Sequence, residues 1–527
     1  MKVYLTLLSR FGILIKMNTN PLVMGVPASS TGADGGTQRT VVVLGIPFKD
    51  VSFKEVVGWV NQRVRSRCPG YIATANMDFI MQAWRDPEQQ RILLEADLVV
   101  ADGIPIVWLS RLMGFGLKER VTGSDLVPMF AELCAREGFS LYGLGGAPGV
   151  AEKAMACLAQ RYPGLRVAGC YSPPKADVLA MNDAEILSKL EAADPDILLV
   201  AFGAPKQEKW VNMHIREWRV PVSIGIGGSL DFLAGAQKRA PQIIQKCALE
   251  WLWRMMSDPP RLFKRYISNI FFFSIALIKL FVLRYGPSGK MPRVMSDPTE
   301  ANVLKSLHAK RIAFPDPADS CAVEAFRNAC TEATGISSLV VDLEQRDWLT
   351  ILEMGILVEG SRTCRSKGRH FYVLAGHPRA AKAFRFFHLN HYLHAAERIE
   401  EIIQAIRSQR SCAGERKTCV VSGGRLTLAL PAELTAANLE PFRTTFEQAW
   451  QGWEQQKHRE GVTVDATAIE FLDSAAMGFL NAIRKQTAQA GLAFQCLGFH
   501  GAALQTLKIA RLDTLFSEAQ EGAQPRL

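Results

Sequence analysis

Paired cysteines, a metal-ligand spacing and any evenness in the spread of charge are missing from this chain. Its 11 cysteines stand singly among 527 residues, with no Cys-x-x-Cys. That pattern excludes a disulfide framework, argues against a structural zinc, and fits a reducing compartment. No nucleic-acid-binding module is recognisable either, although the formal net charge is +10. The excess is local: Trp251 to Lys290 holds seven Lys or Arg and one acid, Asp258, a balance suited to anionic lipid or phosphate. Behind the glycine cluster at 143–149 no acid stands where a dinucleotide ribose would need one, which excludes a dehydrogenase. With 48% hydrophobic and 21% charged residues the chain is globular, and its length predicts two to four domains.

What the chain has in quantity is short apolar runs alternating with amphipathic patterns from Thr40 to Ile226. The predicted strands cover 41–46, 71–75, 96–101, 139–145, 165–171, 196–203 and 221–227. They are nearly unbroken apolar runs, as parallel strands covered on both faces require. Several end in Gly, Asn or Asp directly before a helix, at the sheet edge where α/β domains bind ligands. A doubly wound, Rossmann-like α/β domain is expected over 39–245. Residues 1–38 read as a disordered leader. Met1–Lys16 is apolar but broken by Ser9 and Arg10, and Asn18–Thr37 is rich in Gly, Ser, Thr and Pro. A dispensable leader upstream of a start at Met17 or Met24 is the first reading, ahead of a membrane-touching segment and a cleaved export signal.

A basic and apolar appendage is expected over 246–285. Its stretch Ile267–Leu283 is at the short limit for a membrane span, and Ser268, Asn269, Ser274 and Lys279 define no clean polar face. An interfacial or re-entrant membrane helix is preferred over a true span or a protein interface. A linker follows over 286–304. The remainder repeats at a shift of 123 residues: Val341-Asp342 falls on Val464-Asp465, Met354-Gly355 on Met477-Gly478, and Leu389 on Leu512. Each copy reads strand, loop, helix, strand, loop, helix, which indicates tandem small α/β domains over 305–408 and 416–522. The second copy, VTVDATAIEFLDSAAMGFLNAIRKQTAQAGLAFQCLG, resembles a STAS domain, and the first is then a diverged STAS-like domain. In the anti-sigma antagonists that share this fold, the second hydroxyl residue after the Asp is phosphorylated. Here the string is Asp473-Ser474-Ala475-Ala476, so that acceptor is Ala475 and only Ser474 is left as a candidate. A binding or scaffolding role follows.

The motifs that carry chemistry lie in the first domain. Thr74-Ala75-Asn76 ends one strand and Ala101-Asp102-Gly103 the next, so two polar strand ends can face one ligand. Arg120 stands in Glu119–Asp125, where Asp125 is expected to cap the following helix. Gly143–Gly149, with Gly145 at its centre, can offer backbone N–H groups to phosphate or sugar. Lys206-Gln207-Glu208 and Gly227-Gly228-Ser229-Leu230-Asp231 both follow apolar strands. Arg239-Ala240-Pro241 and Glu250–Tyr266, with Arg254, Arg261, Lys264 and Arg265, complete the set.

Across residues 40 to about 266 these motifs resemble the WecG/TagA/CpsF glycosyltransferase family. The resemblance implies Asp102 as general base, a pocket lined by Thr74 and Asn76, and sugar or ribose contacts from Gln207, Glu208 and Asp231. It implies diphosphate held by Arg120, Arg254, Arg261 and Arg265, on an appendage that closes over the site and docks on membrane. Gly145 belongs to the same substrate-binding set. The string Asp194-Pro195-Asp196 precedes its strand, at the wrong end for a metal-binding Asp-x-Asp, so cationic side chains and no metal or other cofactor are expected to meet the leaving charge. The implied partners are a UDP-sugar donor, a polyprenyl-diphosphate-linked sugar acceptor, membrane lipid, a protein partner of the STAS pair and a second copy of the chain, with no nucleic acid. The implied place is the cytoplasmic face of a bacterial inner membrane. The rival reading is a regulatory adaptor whose non-catalytic head senses lipid-linked sugar.

Overall fold

The computed structural model describes residues 39–236, 241, 244, 250–257, 259–286, 298–316, 319–332, 336–343, 346–415, 418–456, 458–513 and 516. The leader 1–38 and Arg239-Ala240 lie outside them, as do the side chains of Arg254 and Arg261. The first element is a hairpin of β1 (Thr40–Val43) and β2 (Ile46–Lys49), antiparallel with Thr40 opposite Lys49. The central sheet follows: β3 (Gly70–Ala75), β4 (Leu98–Ala101), β5 (Ser140–Gly145), β6 (Arg166–Tyr171), β7 (Ile197–Ala201) and β8 (Val222–Gly225). They are ordered β4-β3-β8-β7-β5-β6, and every pair is parallel. The chain builds outward to β4, crosses to β5 and β6, and returns inward through β7 and β8. Their carboxyl ends therefore form one rim.

The expected strand 41–46 is corrected. It is not part of that sheet, because Leu44 (φ 48°) and Gly45 (φ 88°) both take positive φ and fold the run into a tight hairpin. A Cβ on Gly45 would lie 2.3 Å from the Phe387 carbonyl oxygen. Val41, Val42, Val43, Leu44, Ile46 and Phe48 are nevertheless fully buried. A second domain covers them: helix Ile351–Ser366 packs on β1, so closely that a Cβ on Gly355 would sit 2.0 Å from the Thr40 oxygen. One apolar core runs from the central sheet into that domain.

That domain is the first repeat unit, a parallel sheet of β9 (Ala309–Ala313), β10 (Ser338–Asp342), β11 (His370–Leu374) and β12 (Ala395–Ala396) in sequential order. It starts ahead of the expected boundary, with helix Pro298–Ser306 against β9, and ends with helix Ile399–Glu415. The second unit carries β13 (Cys419–Ser422), β14 (Arg425–Ala429), β16 (Gly461–Asp465) and β18 (Ala493–Leu497), with a small pair β15 (Glu433–Leu434) and β17 (Phe471–Leu472). Shifting β10, helix 351–366, β11 and helix Pro378–Phe386 by 123 residues lands on β16, helix Ser474–Gln489, β18 and helix Gly501–Ile509, end for end.

One carboxylate ties all three bodies. Glu433 of the second unit lies 2.9 Å from Arg91 of the α/β domain and 3.2 Å from Arg365 of the first unit. Both guanidinium groups stack over Tyr392, each 4.9 Å from its centroid. Burial opposes the charge, but the cations win and hold the Glu433 carboxyl down at about 2.

Helix Pro259–Tyr285 contains the one stretch among the described residues long and apolar enough to cross a membrane, Phe263–Tyr285, with mean hydropathy 2.0. One flank is seated on the protein: Phe272 meets Trp84 edge-on at 4.9 Å, and Trp84 meets Phe386 at 5.3 Å.

Candidate active site

Asp102 stands just past β4, and its N–H donates to the Ala75 oxygen at 2.9 Å, prolonging the β3–β4 ladder by one residue. Its half-buried carboxylate is thus level with Asn76. The N-cap of the following helix, Ile104–Leu112, is Gly103. Gly103 itself is extended (φ 175°), and a Cβ there would make only ordinary contact, 3.9 Å, with the Asn76 Cβ. Nothing in the backbone demands glycine at this position.

Asn76 caps helix Met77–Ala83, its Oδ1 accepting from the Asp78 and Phe79 N–H groups at 2.9 and 3.3 Å. Thr74 is buried and donates to the Gly225 oxygen at 2.9 Å, locking β3 to β8 and shaping the floor. On the far side of β4, the Val121 N–H donates to the Ala101 oxygen at 3.0 Å and brings Arg120 alongside. Arg120 lies 3.9 Å from Asp125. The cap of helix Gly123–Glu137 is Thr122, whose hydroxyl accepts from the Asp125 N–H at 3.2 Å. The expectation that Asp125 is the cap is corrected: its own carboxylate accepts from that hydroxyl at 2.6 Å.

The opposite rim is braced by Gln207 and Glu208, at the start of helix Lys206–His214. Both are fully buried. Gln207 Oε1 accepts from the N–H groups of Gly203 and Gly227 at 3.2 and 3.1 Å, so one side chain ties the loops after β7 and β8. Its Nε2 donates to Glu208 Oε1 at 2.7 Å, and the Tyr71 hydroxyl donates to the same oxygen at 3.1 Å. Gly145 has φ 105° and a Cβ there would meet the Ala201 oxygen at 2.8 Å, so the backbone itself requires glycine at this point of the rim. Asp231 sits in the first turn of helix Ser229–Leu233, on the loop that Gln207 holds.

Arg265 arrives from the appendage, 4.0 Å from Asp78, on the helix that Asn76 caps. The first-turn acid Asp78 and the brace Tyr71 were not singled out from the sequence; Asp78 lies two residues after Asn76, whereas nothing marked Tyr71. Asp194-Pro195-Asp196 lies at the other end of the sheet, with Asp194 3.0 Å from Arg67 and Asp196 accepting from Ser140. Among the described residues no group of three or more His, Cys, Asp or Glu is arranged to hold a metal ion.

The model of the "Glycosyl transferase WecG/TagA/CpsF family" matches residues 41–285. The N-acetylglucosaminyldiphosphoundecaprenol N-acetyl-beta-D-mannosaminyltransferase of Bacillus spizizenii (strain ATCC 23059 / NRRL B-14472 / W23) is 31% identical over 191 residues, 36% of this chain and 72% of the relative. The chain belongs to the WecG/TagA/CpsF glycosyltransferase family. The transferase of the same description from Staphylococcus aureus (strain MRSA252) is 29% identical over 244 residues, 45% of this chain and 93% of the relative. A STAS model matches residues 417–522, so one STAS domain follows the transferase domain. The first repeat unit is like the second in its order and register of elements.

Glu208 gives this site a pH signature. Burial pushes its carboxyl up to about 7, against the lowering by its bonds from Gln207 and Tyr71. The folded transferase therefore holds a proton that the unfolded chain releases near 4.5. Stability from this group is full below about pH 4.5 and is lost as pH rises through about 7, a few kcal/mol at about 1.4 kcal/mol per unit. Glu208→Gln keeps the acceptor for Tyr71 and Gln207. Its unfolding temperature is expected to exceed the parent's above about pH 7.5, with the gap closing towards pH 5. Parallel curves at every pH would show that Glu208 does not titrate in this range.

Proposed function

We propose that this chain is a membrane-associated, inverting glycosyltransferase that needs no metal and moves a sugar from a UDP-sugar to a polyprenyl-diphosphate-linked acceptor. It acts at the cytoplasmic face of the inner membrane in assembly of a cell-surface polysaccharide. The observation that carries this reading is Asp102 at the carboxyl end of β4, level with Asn76 at the end of β3 and beside the segment that brings in Arg120. The Asp102 carboxylate takes the proton of the attacking acceptor hydroxyl as the new glycosidic bond forms. The bond to UDP breaks with its electron pair going to the departing diphosphate. Arg120 and Arg265 meet that charge from the two sides of the β3–β4 edge, and Arg254 and Arg261 belong to the same set. Gln207 and Glu208 act by holding the two rim loops and Asp231 in place. The diverged first unit and the STAS domain regulate or recruit.

The test is UDP release by the purified chain without added metal, against a panel of UDP-sugars and a short-chain prenyl-diphosphate sugar acceptor. Acceptor-dependent release with one donor is expected. A folded protein that binds UDP and releases none from any donor would instead be the regulatory adaptor.

A further inference from the structure

The STAS domain meets the transferase through the start of helix Ser474–Gln489. Ser474, Ala475 and Ala476 are buried, 2%, 9% and 0% exposed, against transferase helices Pro87–Glu95 and Lys206–His214. The Ser474 N–H donates to Glu88 Oε1. Glu88 is fully buried, with Lys209 Nζ 2.7 Å from its other oxygen and 2.8 Å from Asp86. Asp473 accepts from Asn212 Nδ2 at 3.2 Å and from the Ala436 N–H at 2.8 Å. A shallow cleft lines this seam, bordered by Arg91, Glu95, Arg216 and Phe471.

Lys209 and Asn212 share their helix with Gln207 and Glu208. One end of that helix braces the loops of the active-site rim, and its outer side holds the STAS loop. A helix of nine residues moves as a unit, so a shift of Lys209 and Asn212 is passed to Gln207. The first repeat unit docks by the equivalent helix, with Gly355 against Thr40, so the repeats share a binding face and the transferase occupies it in both.

We propose that the partner of the STAS domain is its own transferase domain, and that Ser474-on-Glu88 docking positions helix 206–214 so that Gln207 holds the rim in its working form. Glu88, Lys209 and Asn212 are the receptor and Asp473-Ser474 the docking element. Glu88, Lys209, Asn212 and Asp473 are positioning residues, acting through Gln207. This inference rests on the transferase reading for its kinetic consequence but not for the docking itself.

Ser474→Pro tests it in the full-length chain. Proline is tolerated in the first turn of a helix, and Asp473 is extended (φ −108°, ψ −179°), as a residue before proline must be. The substitution removes the donor to Glu88 and sets a ring carbon against it, leaving the STAS fold able to form. Hydrogen exchange is expected to rise at least tenfold at 206–214 and at the Gly203 and Gly227 amides, with kcat for UDP release falling severalfold and donor KM little changed. Glu88→Arg, made on the transferase side with the STAS sequence intact, is expected to give the same exchange pattern. Exchange that rises at 474–480 while 206–214, Gly203 and Gly227 stay protected in both variants would overturn the proposal. Because exchange is read without turnover, a parent that releases no UDP would fail the transferase reading and leave the docking result standing.

Discussion

Asp102→Asn is expected to slow acceptor-dependent UDP release by about 10²–10⁴-fold, the contribution of a positioned general base, with an unfolding temperature within about 2 °C of the parent. The two halves of that expectation have separate causes. Asparagine matches the carboxylate in shape but does not take a proton from a hydroxyl, so the chemical step loses its base. The fold keeps its backbone anchor at this position, since the bond that holds residue 102 to the Ala75 oxygen is a backbone bond and asparagine keeps the shape and an acceptor oxygen. The loss should fall on kcat, with donor KM moving little, because the reacting proton is transferred only in the transition state. Turnover within threefold of the parent would remove Asp102 from the base role.

The sequence made the central sheet legible because buried parallel strands are apolar on both faces, and 71–75, 96–101, 139–145, 165–171, 196–203 and 221–227 all fall on β3 to β8. The same logic misplaced 41–46. That run is apolar on both faces because the first repeat unit covers one of them, and burial by a second domain leaves the same trace as burial by a neighbouring helix. The turn at Leu44-Gly45 was visible only as one glycine inside an apolar run. The repeat was legible residue by residue, since a shared offset of 123 needs no knowledge of packing. What the repeat units touch was not. Glu88, Lys209 and Asn212 carry no spacing that marks them, and Glu433 gains meaning only once Arg91 and Arg365, distant in sequence, converge on it.

Phe271→Asp combined with Ile278→Asp is expected to lower binding of the chain to anionic phospholipid vesicles by about 10³-fold or more, with no change in unfolding temperature. Helix Pro259–Tyr285 exposes Phe263, Ile267, Phe271, Ile278, Phe281, Val282 and Tyr285, each at least half exposed, and spacings of three, four and seven put them on one face. The opposite face meets protein at three points spread along the described residues. Arg265 approaches Asp78 near one end, Phe272 packs on Trp84 in the middle, and Arg379 donates to the Gly286 oxygen just past the other end. A helix crossing a bilayer would give up these contacts with two globular domains, so the geometry this prediction expects is a stripe in the plane of the interface, with exposed Lys264, Lys279 and Arg284 beside anionic headgroups. Two large apolar side chains contribute about 4 kcal/mol when moved from water to lipid, which is about three factors of ten in affinity. Phe271 and Ile278 are 68% and 64% exposed, so the folded state loses little when they are replaced. Extraction separates the geometries: high pH should strip the parent from membranes, whereas a parent that resists extraction, or a double variant that still binds as the parent does, would rule out the in-plane stripe as the anchor.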